Sequence, residues 1–232
     1  MHRQQDRRSH VNQRRFIGNG IVLKYRDWYK LIAIIDYGVG NLGSVEKAMH
    51  YIGLKTVTTS DAAVISKADA VVLPGVGAFS DAMANLGKHG LDRTVIDVIR
   101  QDRLFLGICL GLQLLFEYSE EGGRNVRGLG VFKGAVKALP RKTGLKIPHM
   151  GWNSLKTLDC PLFRGLPDEP FVYFVHSYYL KAADRSIVAA SCEYGISFDA
   201  AINSNRVFAV QFHPEKSGEA GLTILKNWAQ MI

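Results

Sequence analysis

Cys109 stands within Gly107-Ile108-Cys109-Leu110-Gly111, after the apolar run FLGI 105–108 and ahead of the run LGLQLLF. Strand, tight turn and helix start in that order form a nucleophile elbow, here with Cys where hydrolases carry Ser. Glycines two before and two after let the backbone turn sharply and keep neighbouring side chains off the sulfur. A plain buried cysteine needs neither. The unsatisfied N–H groups of a helix start favour thiolate and so supply a nucleophile. Gln113, one helical turn on, faces the same side and is placed to hold a ligand.

A thiolate that attacks an amide needs a group to protonate the departing amine, and that group needs an acceptor to orient it. His213-Pro214-Glu215 fits both needs. Positions i and i+2 of an extended segment share a face, so Glu215 can reach back to the imidazole while the other ring nitrogen faces Cys109. Pro214 narrows the available geometries. None of His2, His10, His50, His89, His149 and His176 has a carboxylate two residues away. Acyl transfer also needs donors for the oxyanion. Pro74-Gly75-Val76-Gly77 follows the strand-like AVVL 70–73, at the edge where open α/β sheets place ligands, and the N–H groups of Val76 and Leu110 are the candidate pair. A plain turn explains these glycines equally well.

The elements that must position these groups follow a strand–helix rhythm. LIAII 31–35, a helix over 42–51, TVT 56–58, AVVL 70–73, a helix near 91–101 with Leu91, Val95, Val98 and Ile99 on one face, FLGI 105–108 and the helix LGLQLLF alternate in order. That rhythm predicts parallel βαβ units: an α/β fold with an open, mostly parallel sheet between helices. After Gly122 short strands and turns take over, including FVYFV 171–175 and VFAVQF 207–212, and a helix near 218–231 packs Gly221, Ile224, Leu225 and Trp228 inward.

At 47% hydrophobic, with 11 Phe, 9 Tyr and 3 Trp, the chain supplies one substantial core. No apolar stretch approaches the roughly 18 residues of a membrane span. Three scattered cysteines, with no CxxC pair and no secretory leader, point to a reducing, cytoplasmic setting and to no metal. The net charge of +8 is uneven: residues 1–30 carry eight Lys/Arg against Asp6 and Asp27, and read as a basic flexible extension or an over-extended translation start. The remainder, 31–232, lacks the basic balance of a nucleic-acid binder. Its basic stretch from Arg124 to Lys156, with no acid between Glu121 and Asp159, reads as a solvated or partner-facing surface.

Gly107 to Gln113, together with His213-Pro214-Glu215, resembles the class I glutamine amidotransferases, whose Cys–His–Glu triad hydrolyses glutamine to glutamate and ammonia. Asp36-Tyr37-Gly38-Val39-Gly40-Asn41, Pro74-Gly75-Val76-Gly77-Ala78-Phe79, His149-Met150-Gly151-Trp152-Asn153, Tyr173-Phe174-Val175-His176-Ser177-Tyr178 and Gln211 to Ser217 are similar to the branch of that family that serves imidazole glycerol phosphate synthases. The likeness runs from about Leu31 to the C-terminus. It implies a three-layer, flavodoxin-like sheet over 31–232, with Cys109 as nucleophile, His213 as acid/base and Glu215 as its orienter. Val76 and Leu110 would form the oxyanion hole, and Gly75, Gly77 and Gln113 would contact glutamine. It further implies no cofactor, and a heterodimer with a (β/α)8 cyclase that receives the ammonia and forms imidazole glycerol phosphate and an aminoimidazole carboxamide ribotide. Asn41, His149, Trp152, Tyr173, His176 and Lys216 would lie on or near the docking face. The Val76 N–H would be turned away until the partner responds.

Three other readings are weighed on sequence, one of them a catalytically silent interaction subunit, against which the intact Cys109, His213 and Glu215 argue. A paralogous glutaminase subunit feeding a different amidating synthase would carry the same triad. Gly38-Val39-Gly40-Asn41-Leu42-Gly43, with Asp61 beyond it, matches a dinucleotide fingerprint, although a dehydrogenase leaves the elbow and His-Pro-Glu unexplained.

Overall fold

The computed structural model describes residues 30–123, 125–141 and 144–232. The basic extension expected over 1–30 therefore lies, up to residue 29, outside the described residues. The first half alternates as the sequence predicts: β1 (Leu31–Ile35), α1 (Leu42–Tyr51), β2 (Lys55–Thr59), α2 (Ala62–Lys67), β3 (Ala70–Gly75), α3 (Phe79–Lys88), α4 (Leu91–Arg100), β4 (Leu104–Cys109) and α5 (Leu110–Leu114). Strands dominate thereafter: β5 (Phe116–Ser119), β6 (Val126–Arg127), β7 (Phe132–Ala138), β8 (His149–Ser154), β9 (Lys156–Thr157), β10 (Phe171–His176), β11 (Tyr178–Ala182), β12 (Val188–Glu193), β13 (Ser197–Ser204) and β14 (Val207–Val210), closed by α6 (Gly218–Ala229).

The main sheet runs β2-β1-β3-β4-β14-β13-β11-β7-β5-β6, with β12 and β9 attached beside β13. Its five strands from β2 to β14 are parallel, and β13, β11 and β7 continue it antiparallel. Strand alternation builds the three layers. Ile32 and Ile34 face a core shared with α1 and α6, while Ala33 and Ile35 face one shared with α2, α3 and α4. The predicted inward face of α6 is fully formed: Ile224, Leu225 and Trp228 are buried, and Gly221 lies so close to the Pro214 carbonyl that a Cβ would stand 1.9 Å from it.

Three local expectations are corrected. The apolar run after Cys109 does not stay helical, because α5 ends at Leu114 and Phe116 opens β5. The strand predicted over 207–212 ends at Val210. FVYFV extends to His176 and leaves the main sheet, pairing only with β8 as a separate antiparallel ribbon. Asp61, the acidic residue of the apparent dinucleotide fingerprint, is the N-cap of α2, accepting from the N–H groups of Ala63 and Val64. No described helix is long and apolar enough to cross a membrane.

Candidate active site

Three neighbouring parallel strands deliver the predicted groups to one edge. In the β3–β4 ladder Gly75 lies opposite Cys109, and in the β4–β14 ladder Val210 lies opposite Ile108, three residues before His213. The loop expected to hold the oxyanion, the cysteine and the histidine thus leave the carboxyl ends of adjacent strands.

The elbow itself departs from expectation in one respect. Its bend is carried by Cys109, at φ 55° and ψ −108°, a region that L-residues seldom occupy. The flanking glycines do not make the turn; they permit close approach. A Cβ on Gly111 would stand 1.9 Å from the Leu73 carbonyl oxygen, and one on Gly107 would stand 2.9 Å from the Gly111 carbonyl. They let α5 start pressed against β3, which holds the sulfur above the sheet edge.

His213 Nδ1 lies 2.8 Å from Glu215 Oε1, and both side chains are almost wholly buried. The contact comes from a tight 3-10 turn over Pro214–Lys216 rather than from one face of a strand. Burial disfavours the charged imidazole, but Cys109 on one side and Glu215 on the other outweigh it, and the pKa is pushed up to about 10. His213 Nε2 has no hydrogen-bond partner among the described residues. It is left for the thiol that polarises it. The backbone of His213 is pinned as well: its N–H donates to the Tyr173 carbonyl, and the Ser217 hydroxyl donates to the His213 carbonyl while accepting from the Tyr173 N–H.

Above the sulfur lies a cavity of about 370 Å³. It is lined by Val76, Gly77, Cys109, Leu110, Gln113, Glu121, Pro148 and Val175 to Tyr178. The Cys109 thiol donates to the Val175 carbonyl at 3.9 Å. In the oxyanion loop, the Tyr37 hydroxyl donates to the Pro74 carbonyl at 3.0 Å. Burial first, and Cys109 second, push that phenol up, so it stays protonated. A Cβ on Gly75 would meet the Tyr37 oxygen at 2.4 Å, whereas Gly77, at φ 96°, has open space around it. Val76 is 38% exposed. The loop is therefore fixed at Pro74–Gly75 and unencumbered at Val76–Gly77.

Gln113 reaches the cavity as predicted, but its carboxamide is already engaged, its Nε2 donating to the Tyr178 carbonyl at 3.0 Å and to Gln211 Oε1 at 2.9 Å. Glu121 was not anticipated. It lines the cavity, and its carboxylate accepts from the Phe79 N–H at the start of α3; the only sequence signal was its acidity just after β5.

The residues expected at a docking face divide into two layers. Asn41 and Lys216 are exposed, Trp152 is 55% exposed, and the Tyr173 ring stands 6.1 Å from that of Trp152. Met150 and Phe171 extend the same outward face of the β8–β10 ribbon. His149 and His176 sit beneath it, both buried. Their hydrogen bonds run in one direction. The Tyr178 carbonyl can only accept, so His176 Nδ1 donates to it; His176 Nε2 then accepts from His149 Nδ1, and His149 Nε2 accepts from Asn153 Nδ2. Both rings are neutral, with burial lowering His149 to about 4 and His176 to about 3.

The sequence model of the family described as glutamine amidotransferase class-I matches residues 33–231. The chain belongs to that family. Among relatives of this class I amidotransferase, the imidazole glycerol phosphate synthase subunit HisH of Caldanaerobacter subterraneus subsp. tengcongensis is 52% identical over 203 residues, which cover 87% of this chain and 98% of that protein. The subunit of the same name from Thermosynechococcus vestitus is 51% identical over 204 residues, covering 87% and 97%. Among solved structures, PurLQS from Thermotoga maritima superposes with a TM-score of 0.67 at 19% identity, over 87% of this chain and 98% of that one. A glutamine amidotransferase from the same organism gives 0.58 at 18%, over 87% and 81%. These neighbours share the class I amidotransferase fold.

Proposed function

We propose that this chain is the glutaminase subunit of an imidazole glycerol phosphate synthase, and that residues 31–232 form its amidotransferase domain while residues 1–30 are a basic extension. The reading rests on Cys109, held at a strained bend in the lining of one cavity and interacting with the His213 imidazole that Glu215 orients. Identity near 50% to subunits of that name supports the same assignment.

Cys109 gives its proton to His213 Nε2 and attacks the side-chain carboxamide carbon of glutamine. The N–H groups of Leu110 and Val76 take the oxyanion. Collapse of the tetrahedral intermediate breaks the carbon–nitrogen bond, and His213 returns the proton to the departing nitrogen, releasing ammonia and leaving a glutamyl thioester. Water then attacks, His213 takes its proton and passes it to the sulfur, and glutamate leaves. Gly75, Gly77 and Gln113 hold the reacting end, and the Glu121 carboxylate meets the α-ammonium group.

The outward ribbon face, with Trp152 and Tyr173, and exposed Asn41 and Lys216 receive a (β/α)8 cyclase in the cytoplasm, and His149 and His176 support that face from beneath. Ammonia passes directly to the cyclase, because ammonia freed into neutral water is protonated and ceases to be a nucleophile. The gate is the Gly75–Val76 peptide, which carries the Val76 N–H and is followed by exposed Val76 and by Gly77 with open space around it.

The test is glutamine hydrolysis by the full chain with and without its cognate cyclase, alongside Cys109→Ala. Strong stimulation by the cyclase is expected, with Cys109→Ala losing glutamine-dependent synthesis while the complex still uses added ammonium. Glutamine turnover surviving in Cys109→Ala overturns the nucleophile assignment. Absence of stimulation, with a different synthase restoring it, favours a paralogous glutaminase.

A further inference from the structure

Gln211 is fully buried, lies two residues before His213 and does not line the cavity. Its carboxamide nonetheless lies against the nucleophile, with Nε2 3.7 Å from Cys109 Sγ. At most sites the two ends of a carboxamide are interchangeable. Here donor and acceptor bookkeeping fixes them. The Tyr178 backbone carbonyl has no hydrogen to give, so the end of Gln113 that touches it is the NH₂ group. The same Gln113 nitrogen also touches Gln211, so that end of Gln211 is its oxygen. The remaining end of Gln211, the one against the sulfur, is therefore an N–H donor.

We propose that Gln211 stabilises the Cys109 thiolate by donating this N–H to the sulfur, and that Gln113 sets the direction of that hydrogen bond. The inference deepens the glutaminase reading and rests on Cys109 as nucleophile. The thiol's other contact, the Val175 carbonyl at 3.9 Å, is an acceptor and suits only the protonated sulfur. Gln211 is thus the side-chain amide that favours the charged form, and its donor has nothing to gain from a neutral thioester. Among the described residues, the titratable groups around the sulfur are His213, from the turn after β14, and the Tyr37 phenol, from the loop after β1, with Glu215 behind the imidazole and Glu121, His176 and Tyr178 lining the same cavity. Neither Gln211 nor Gln113 is titratable, so replacing Gln211 leaves that set intact.

The experiment measures the rate of Cys109 alkylation by iodoacetamide against pH, resolved by peptide mass spectrometry from Cys160 and Cys192, in the full chain bound to its cyclase. Gln211→Met keeps the length and removes the donor. Loss of one hydrogen bond to a charged group corresponds to about tenfold. The midpoint is expected to rise by about one pH unit, alkylation on the acid side of the midpoint to fall about tenfold, and kcat for glutamine on the acid side of its pH profile to fall about tenfold with KM within twofold. A residue that only packs would shift neither the midpoint nor kcat independently of KM. Gln211→Glu, of the same shape, provides a second measurement where the Met variant does not fold, and its carboxylate is expected to raise the midpoint further. A folded variant of either kind with the wild-type midpoint overturns the proposal while leaving the glutaminase reading standing. Glutamine turnover persisting in Cys109→Ala overturns both.

Discussion

Replacing Cys109 by Gly and by Ala separates the strain stored at the elbow from the chemistry of its sulfur. Both variants lose the thiol, and both leave a small residue between Ile108 and Leu110. They differ at φ 55° and ψ −108°, where Ala carries a Cβ penalty and Gly does not. A non-glycine residue in such a region costs on the order of 1–3 kcal/mol. Glycine brings back an unfolded-state entropy cost of about 0.5–1 kcal/mol. The difference favours Cys109→Gly by about 1 kcal/mol, which in a domain of this size raises Tm by about 2–4 °C over Cys109→Ala. Scanning calorimetry at neutral pH reads it directly. Lys47, exposed in the middle of α1, is the control: there Gly is expected to be less stable than Ala by about 1 kcal/mol, the opposite sign. If Cys109→Ala melts at or above Cys109→Gly while the α1 pair behaves normally, the backbone at the nucleophile is not strained and the account of the elbow is wrong.

The neutral His149–His176 pair makes the protein acid-labile. Both pKa values lie below the ordinary 6.5, at about 4 and about 3, so the unfolded chain binds more protons below pH 6.5 and stability falls with pH from there down to the folded values. At pH 5 the two rings together cost about 4 kcal/mol, from 1.36 kcal/mol per unit per proton; urea unfolding across pH 5–7 checks it, and a flat profile would show that neither ring is held neutral. His213 has the opposite sign. Raised to about 10, its stabilising contribution is complete below pH 6.5 and is lost as pH rises through 10, and NMR titration of the imidazole is expected to find it protonated at pH 8 and to show its pKa falling in Cys109→Ala; an unchanged titration removes the sulfur as its partner. Ser217→Ala strips the bridge between the Tyr173 N–H and the His213 carbonyl. It is expected to cost about 1–3 kcal/mol and to lower glutaminase kcat, with calorimetry and turnover as the readouts.

Three strands of the parallel half were legible because they are buried on both faces and read as continuous apolar runs: AVVL for β3, FLGI for β4 and VFAV for β14. The helices were legible where one stripe is apolar, as in α4 with Leu91, Val95 and Val98. Phe79, Ala82 and Leu86 form the same kind of stripe in α3, but it starts within two residues of Gly77 and is masked by the loop signal before it. The run after Cys109 is apolar for a different reason from the one its pattern suggests. Leu110 to Phe116 is buried throughout, so periodicity carries no information, and the backbone switches from helix to strand at Leu115 without a polar residue to mark it.

The proposed catalytic residues were legible because their chemistry is local: a cysteine between glycines and a carboxylate two residues from a histidine are visible in short windows. What supports them is not local. The thiol rests on Val175, 66 residues away; Gln113 on Tyr178, 65 away; Gln211 on Cys109, 102 away. Such contacts leave no spacing to read. FVYFVH does carry a trace of its double duty, since aromatic or histidine side chains occur at both odd and even positions. Phe171 and Tyr173 point outward beside Trp152, while Phe174 and His176 point inward, and the backbone between them holds Cys109 and His213. A half-buried strand with one solvated face has no need of large rings on both sides. The excess on the outward side fits the proposal that a partner covers this surface. Because its main chain also holds Cys109 and His213, through the Val175 and Tyr173 carbonyls, the proposed covering of that surface would act on the site through a single strand.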